Sequence, residues 1–368
     1  EILTKIQYLT GILQNPDELV RVIREELQEI RDGYADERRT EIVEDHSDVT
    51  IEDLIPVEDL VVTLSHGGYA KAQGLDTYQS QKRGGRGRSA TKVKDEDFID
   101  KLFVANSHDT LLCFSSRGKV YWLKVYQVPR ASRGARGKPI VNLLPLQEGE
   151  RINAVLPVRE YDSDHYVFMA TSKGRVKKTS LEAFSRPRTN GIIAVDLRDG
   201  DKLVDVALTD GNTDIFLAAS SGKAIRFNEK DVREMGRGAA GVRGINIEGE
   251  HEVIALIIVG DGEILTATEN GYGKRTQVDE FSTQGRGGKG VIAIQTSDRN
   301  GVMVGALQVA DEDEIMLISS SGTLVRTGVD DISVQGRNTQ GVRLIRVQEG
   351  DRLVGLDRIE QIQESDEE

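Results

Sequence analysis

Short apolar runs, each broken by a small polar pair and a glycine, recur along most of this 368-residue chain. Phe216–Phe227 (FLAASSGKAIRF) shows the unit: an apolar stretch, then Ser220-Ser221-Gly222, then alternating apolar and polar positions. That is the pattern of a β-hairpin whose glycine supplies the positive φ of a tight turn. Met169–Val176 and Met316–Val325 repeat it, and further strand-like runs such as Ile152–Val158 and Val253–Val259 stand before the next hairpin. No unit here contains a long segment of 3.6-residue period.

The spacing is regular. The turn glycine recurs at Gly68, Gly118, Gly174, Gly222, Gly271 and Gly322, with gaps of 50, 56, 48, 49 and 51 residues. A second glycine follows each time, at Gly87, Gly137, Gly191, Gly241, Gly290 and Gly341, after 19, 19, 17, 19, 19 and 19 residues. A period of roughly fifty residues built from strands and turns predicts blades of about four strands. Six blades closed in a ring give a mainly β, propeller-like disc with only short, protected edges. Turn chemistry accounts for the first set of glycines. The second set differs, because cations surround it.

The first sixty residues follow another pattern. Asn15-Pro16-Asp17-Glu18 is a helix start, with Asn as N-cap, Pro in the first turn and acids behind it. Leu19, Val20, Ile23, Leu27 and Ile30 share one helical face, and the helix should end near Gly33. Ile2–Leu13 predicts a second helix. The apolar stripe calls for a partner, and the chain, which begins at Glu1, is expected to be part of a longer polypeptide. The expected organisation is a helical segment over 1–42, an acidic linker over 43–60, the disc over 61–358 and an acidic tail over 359–368.

Charge changes the picture most. The formal net charge is −13, yet Gln81–Lys94 holds six Lys or Arg and no acid. Counted from the turn glycine to just past the second glycine, the units carry net charges of +6, +7, +5, +3, +2 and +1. The acids lie elsewhere: Glu1–Leu60 is net −11, and Ile359–Glu368 has five acids and no cation. Cations in equivalent elements of a closed ring should form one belt on its rim, strongest in the first two units. Such a belt suits a duplex bent around it, held through phosphates with little base reading. A basic turn without a ligand would account for any one run, but not readily for six in register.

Other chemistry is scarce. Cys113 is the only cysteine, which excludes a disulfide framework and fits a reducing cytoplasm; it reads as a packed strand thiol. The five histidines make no metal-ligand spacing, and His66 reads as a turn filler or a phosphate contact. No apolar stretch is long enough to span a membrane, and no nucleotide-binding or nucleophile motif is present. Tyr121 and Trp122 are expected to pack in a strand.

Gln81–Gly87 (QKRGGRG) resembles the gyrase A box, the signature of the C-terminal domain of DNA gyrase A subunits. Glu26–Ile42 resembles the end of the coiled-coil arm of that family, and FSSRGKVYWLKVYQVP, ASRGARGKPIVNLLPL and NGYGKRT resemble its successive blades. The resemblance implies a six-bladed β-pinwheel, in which neighbouring blades exchange strands. It implies that duplex DNA wraps the rim with positive handedness and is presented for ATP-driven strand passage, giving negative supercoils. It places Gln81, Lys82, Arg83, Gly84, Gly85, Arg86 and Gly87 in the box. Lys71 and Arg88 flank it. Equivalent elements of later units add Arg133, Arg136, Lys177, Lys178, Arg226 and Arg237. Lys274, Arg275, Arg286, Lys289, Arg326 and Arg337 complete the expected DNA-binding set.

The resemblance also implies what this chain lacks. The catalytic tyrosine and the ATPase belong to other parts of the holoenzyme, so no cofactor is expected here; ATP and Mg²⁺ act elsewhere. The implied partners are double-stranded DNA and the gyrase B subunit, together with the rest of the A subunit, in a cytoplasmic A2B2 assembly. Gln284–Gly290 (QGRGGKG) matches the box in the fifth unit, and is either a shared blade loop or a second DNA anchor. The competing readings are the A-type subunit of topoisomerase IV, and a propeller scaffold that binds acidic proteins.

Overall fold

The structure, a computed structural model, describes residues 1–36, 52–65, 67–74, 99–132, 135–321, 324–348 and 350–359. The chain divides into two units, 1–50 and 51–368.

The first unit is helical. α1 spans Ile2–Gln14 and α2 spans Pro16–Tyr34. Asn15 separates them in an extended conformation, and its side chain accepts from the Asp17 N–H at 3.1 Å, the expected N-cap. No residue of either helix is buried within this chain, and Leu19, Val20, Ile23, Leu27 and Ile30 all lie exposed.

The second unit is built from six sheets. Each repeat supplies a hairpin and a third, longer strand. In the fourth repeat these are Asp214–Ala219, Lys223–Asn228 and Val253–Val259, all antiparallel. The turn glycines do what the pattern requires: φ lies between +72° and +80° at Gly68, Gly118, Gly174, Gly222 and Gly271. Gly322 lies outside the described residues.

The fourth strand comes from the next repeat. Lys138–Pro139 joins the first sheet, Ile192–Ile193 the second, Val242–Arg243 the third, Val291–Ile292 the fourth and Val342–Arg343 the fifth. Each follows the second glycine of its repeat directly. This is the strand exchange that the resemblance implied. The sixth sheet has three strands among the described residues.

Hydrophobic clusters form between consecutive blades, five among the described residues. Phe114 meets Phe184 edge-on at 5.9 Å between ring centroids, and Phe216 meets Phe281 at 5.0 Å. Cys113 belongs to the first cluster, and burial pushes its thiol up to about 12, so it is an inert packing group. Tyr121 is buried, and the Trp122 indole N–H donates to the Phe184 carbonyl at 2.9 Å, as strand packing predicts.

The acidic segment 43–60 is not wholly a linker. Glu52 pairs with Lys124 at 2.8 Å, Glu58 pairs with Arg130, and the His108 ring nitrogen meets the Ile55 carbonyl at 3.0 Å. The first strand, Asp59–Ser65, begins inside it. Its acids face the cations of the second repeat, which holds the segment against the first seam. The rest of the linker, 43–51, and the tail from 360 onward lie outside the described residues.

Candidate nucleic-acid interface

In the third to sixth repeats the second glycine closes a loop of seven residues. In the fourth, fifth and sixth repeats these loops are Met235–Gly241, Gln284–Gly290 and Gln335–Gly341. Each lies on the hairpin of the preceding blade. Its first N–H donates to that hairpin: Met235 to the Lys178 carbonyl, Gln284 to Arg226 and Gln335 to Arg275, all at 2.8 Å. Its last residue turns the chain into the exchanged strand with φ of +77°, +69° and +77° at Gly241, Gly290 and Gly341. A side chain there is excluded twice over, since a Cβ on Gly241 would lie 2.4 Å from the Val176 carbonyl oxygen. The second glycines are therefore demanded by strand exchange as well as by any approach to phosphate.

Each of these loops is hydrogen-bonded to the segment that follows the preceding loop. The Asp196 N–H, just after the third loop, reaches the Ala239 carbonyl of the fourth at 3.3 Å. Gly287 donates to the Gly244 carbonyl at 2.6 Å and Asn246 to Gly288 at 2.8 Å; Gln295 donates to Thr339 at 2.9 Å. Arginine guanidiniums reinforce the chain: Arg286 donates to the carbonyls of Asp231 at 2.8 Å and Arg243 at 3.0 Å, and Arg337 to Ile292 at 3.4 Å. The loops thus run as one band across successive blades.

The expected cations divide sharply. Arg136, Arg286 and Lys289 are exposed on loops, and Arg237 and Arg337 are half-exposed there. Arg136 stacks on Tyr69 at 3.9 Å, and Lys289 pairs with Glu248. Arg326 is exposed but sits on a hairpin strand, paired with Glu314. Gln81, Lys82, Arg83, Gly84, Gly85, Arg86, Gly87, Arg88, Arg133 and His66 lie outside the described residues.

The hairpin-strand cations correct the sequence reading. Lys71, Lys177, Lys178, Lys274 and Arg275 are all buried, and Arg226 is largely so. They are held by partners inside the fold. Lys178 reaches the Glu229 carboxylate at 3.6 Å, Arg226 pairs with Asp214 at 2.9 Å, and Arg275 pairs with Glu263 at 2.9 Å and with Asp311. Lys71, Lys177 and Lys274 donate to loop carbonyls. The physical reason is that the exchanged strand and its loop cover the hairpin edge, where counting assumed an open rim. The net charges counted per repeat therefore overstate the belt in the third to sixth repeats.

The fold also brings up cations that the sequence reading left out. Lys138, Arg243 and Arg343 are exposed on exchanged strands, and Arg186 and Arg188 on the third loop. Arg343 donates to the Tyr272 hydroxyl at 2.8 Å, and Arg299 lies 4.9 Å from the same ring. Their shared signal is position just before or after the second glycine. For Lys289, the surface pair with Glu248 is weak and competes with phosphate. Lys289→Ala is expected to leave the melting temperature unchanged and to reduce the salt slope of DNA binding by about one; an unchanged slope in a salt titration would make Gln284–Gly290 a blade loop only.

The sequence matches the family described as DNA gyrase C-terminal domain, beta-propeller, over residues 59–106, 109–159, 165–210, 213–260, 262–310 and 313–360. Those six segments are the six repeats. The chain belongs to the DNA gyrase C-terminal domain family. It is 60% identical to the DNA gyrase A subunit of Salmonella typhimurium over 93% of this chain and 39% of the relative. Against that of Haemophilus influenzae it is 53% identical, over 100% of this chain and 45% of the relative. The chain thus spans less than half the length of the curated relatives it matches. Among solved structures it resembles a DNA gyrase A C-terminal domain, with a TM-score of 0.65, 27% identity and coverage of 82% of this chain and 99% of that one. It also resembles the C-terminal domain of a DNA topoisomerase IV, with a TM-score of 0.73, 27% identity and coverage of 83% and 94%. The two folds are thus alike in this gyrase-family disc, and the much higher sequence identity to gyrase A subunits separates them.

Proposed function

We propose that the propeller unit binds duplex DNA along its loop band and bends it round the rim with positive handedness, presenting it for the strand passage by which DNA gyrase introduces negative supercoils. The observation that carries this reading is the hydrogen-bonded succession of basic, glycine-closed loops in register on consecutive blades. Bending a site by 40–90° costs on the order of 1–6 kcal/mol, and a longer wrap costs more. Only phosphate contacts repeated blade after blade offset that, so affinity should fall steeply with salt and depend on duplex length. A protein scaffold would need neither.

The chain acts within a larger enzyme in this reading. Strand cleavage and ATP hydrolysis, with its Mg²⁺, reside in the B subunit, together with the rest of the A subunit, of an A2B2 cytoplasmic holoenzyme. No helix among the described residues is long and apolar enough to cross a membrane. The exposed stripe on α2 fits a helical partner elsewhere in the gyrase A polypeptide.

The test is topological. The chain is bound to nicked circular DNA, the nick is sealed with ligase, and the linking number is read after protein removal. A positive shift that grows with protein, and disappears when Lys82, Arg83 and Arg86 are all changed to Ala, is the expected result. Binding without any shift would rule out chiral wrapping.

A further inference from the structure

Three residues beyond each turn glycine stand Lys71, Tyr121, Lys177, Ile225, Lys274 and Val325. Lysine therefore takes this place in alternate blades, and each of the three is buried: 2%, 1% and 0% exposed at Lys71, Lys177 and Lys274. Their ammonium groups point at the loop above. Lys71 donates to the Ala135 carbonyl at 3.0 Å, Lys177 to Arg237 and Ala194, and Lys274 to Gly336. Lys177 and Lys274 are hydrogen-bonded to carbonyls alone, with no carboxylate. A buried ammonium without an ion pair is costly. An apolar side chain fills the same place in the fourth blade, where Ile225 lies under Gly288. Space filling does not account for the lysines.

The charged groups facing each lysine have the same plan. Arg237 and Asp196 face Lys177; Arg337 and Glu280 face Lys274. Both arginines are the third residue of their loop. Arg237 is half-exposed, and its guanidinium makes no hydrogen bond or ion pair among the described residues. We propose that Lys177, with Lys274 as its counterpart two blades on, is a positioning residue for DNA: its ammonium draws loop carbonyls inward and repels the Arg237 guanidinium outward, so that the loop meets phosphate with a cation. This rests on the loop band being the DNA-contact surface.

The arrangement links binding to protons. Burial pushes Lys177 down to about 7 and Lys274 to about 8; Arg237 adds to this at Lys177, while at Lys274 Glu280 opposes it by more than Arg337 adds. Phosphate at the arginine offsets the repulsion and raises the lysine pKa in the complex. Binding then takes up protons. Affinity is greatest below the free-protein value, where the lysine is already charged, and falls as pH rises above about 7 at Lys177 and about 8 at Lys274, through the raised value of the complex. Arginine contacts alone give no such step, since the guanidinium stays charged.

The experiment measures duplex affinity of the whole chain at fixed ionic strength across this range, with calorimetry in two buffers of different ionisation enthalpy. A shift of one pKa unit gives a fall of about tenfold and net proton uptake. Lys177→Met with Lys274→Met should bind more weakly and without the step; Lys177→Arg with Lys274→Arg should restore affinity but not the step. The wild-type measurements need no variant, so they stand even where the Met variant fails to fold. Duplex binding with a flat profile and no proton uptake would overturn the proposal. So would a step that survives in the Met variant, which keeps all five histidines. Absence of binding at every pH would remove the DNA reading together with this inference.

Discussion

Lys178→Met is expected to destabilise the propeller unit by about 3–5 kcal/mol, the range for removing one partner of a buried ion pair. Glu229 is 0% exposed, and Lys178 is the cation that faces it. The carboxylate keeps the Thr209 hydroxyl at 2.8 Å and the Thr213 N–H at 2.9 Å, but those are dipoles and cannot balance a charge away from water. Lys178 also donates to the Glu229 main-chain carbonyl at 3.2 Å, so the substitution also loses a bond to the turn that carries the acid. Adding Glu229→Gln should restore a large part of the loss, because the pair is replaced rather than broken. Denaturant midpoints of the three variants give the comparison, and duplex affinity at low temperature should stay near that of the unaltered chain. A loss under about 1 kcal/mol, with weakened DNA binding instead, would return Lys178 to the rim.

Gly290→Ala should be comparably damaging for a different reason. The residue sits at φ +69°, and its new Cβ would lie 2.3 Å from the Ala224 oxygen and 2.7 Å from the Ala224 carbon. The left-handed conformation alone costs about 1–2 kcal/mol. The collision is with backbone, so no rotamer relieves it, and the loop must lift. Lifting it detaches Val291–Ile292 from Lys223–Ala224, and with it the Ala293 N–H that donates to the Gly222 carbonyl at 2.8 Å. Hydrogen exchange should report faster exchange at 291–294, and the melting temperature should fall by several degrees. Gly285→Ala is the control within the same loop: a Cβ there meets nothing within 4 Å, and it should be silent in both measurements. Equal effects at the two positions would mean that loop composition, rather than the close approach at Gly290, governs stability.

The hairpins were legible because they are local. A turn glycine between two alternating runs fixes both strands, and Val253–Val259 and Ile152–Val158 fell where the pattern put them. The α2 start was legible for the same reason, through Asn15 and Pro16. Charge was misleading where it depended on the third dimension. Lys178, Arg226 and Arg275 all stand four residues beyond a turn glycine, in runs that count as basic, yet they are salt-bridged within or beside their own blade. The acids Asp214 and Glu263 open the first hairpin strand of their repeats, so the pairing is a hairpin property that a count starting at the turn glycine leaves out. The loop cations Arg286 and Lys289 are exposed, where the glycine spacing puts them.

Strand exchange has a consequence for how such discs change over evolutionary time. Among the described residues the second to sixth repeats each give a two-residue strand to the blade before, and the first to fifth each take one from the repeat after; the gift and the vacancy have the same form throughout. An in-frame duplication or loss of a whole repeat therefore leaves each remaining vacancy filled by a neighbour of the right kind. A cut inside a repeat orphans two blades at once. Blade number is thus free to vary between lineages in whole steps, while the phase between hairpin, loop and donated strand is held fixed. The arc offered to a bent polymer can lengthen or shorten by one blade without redesigning any contact.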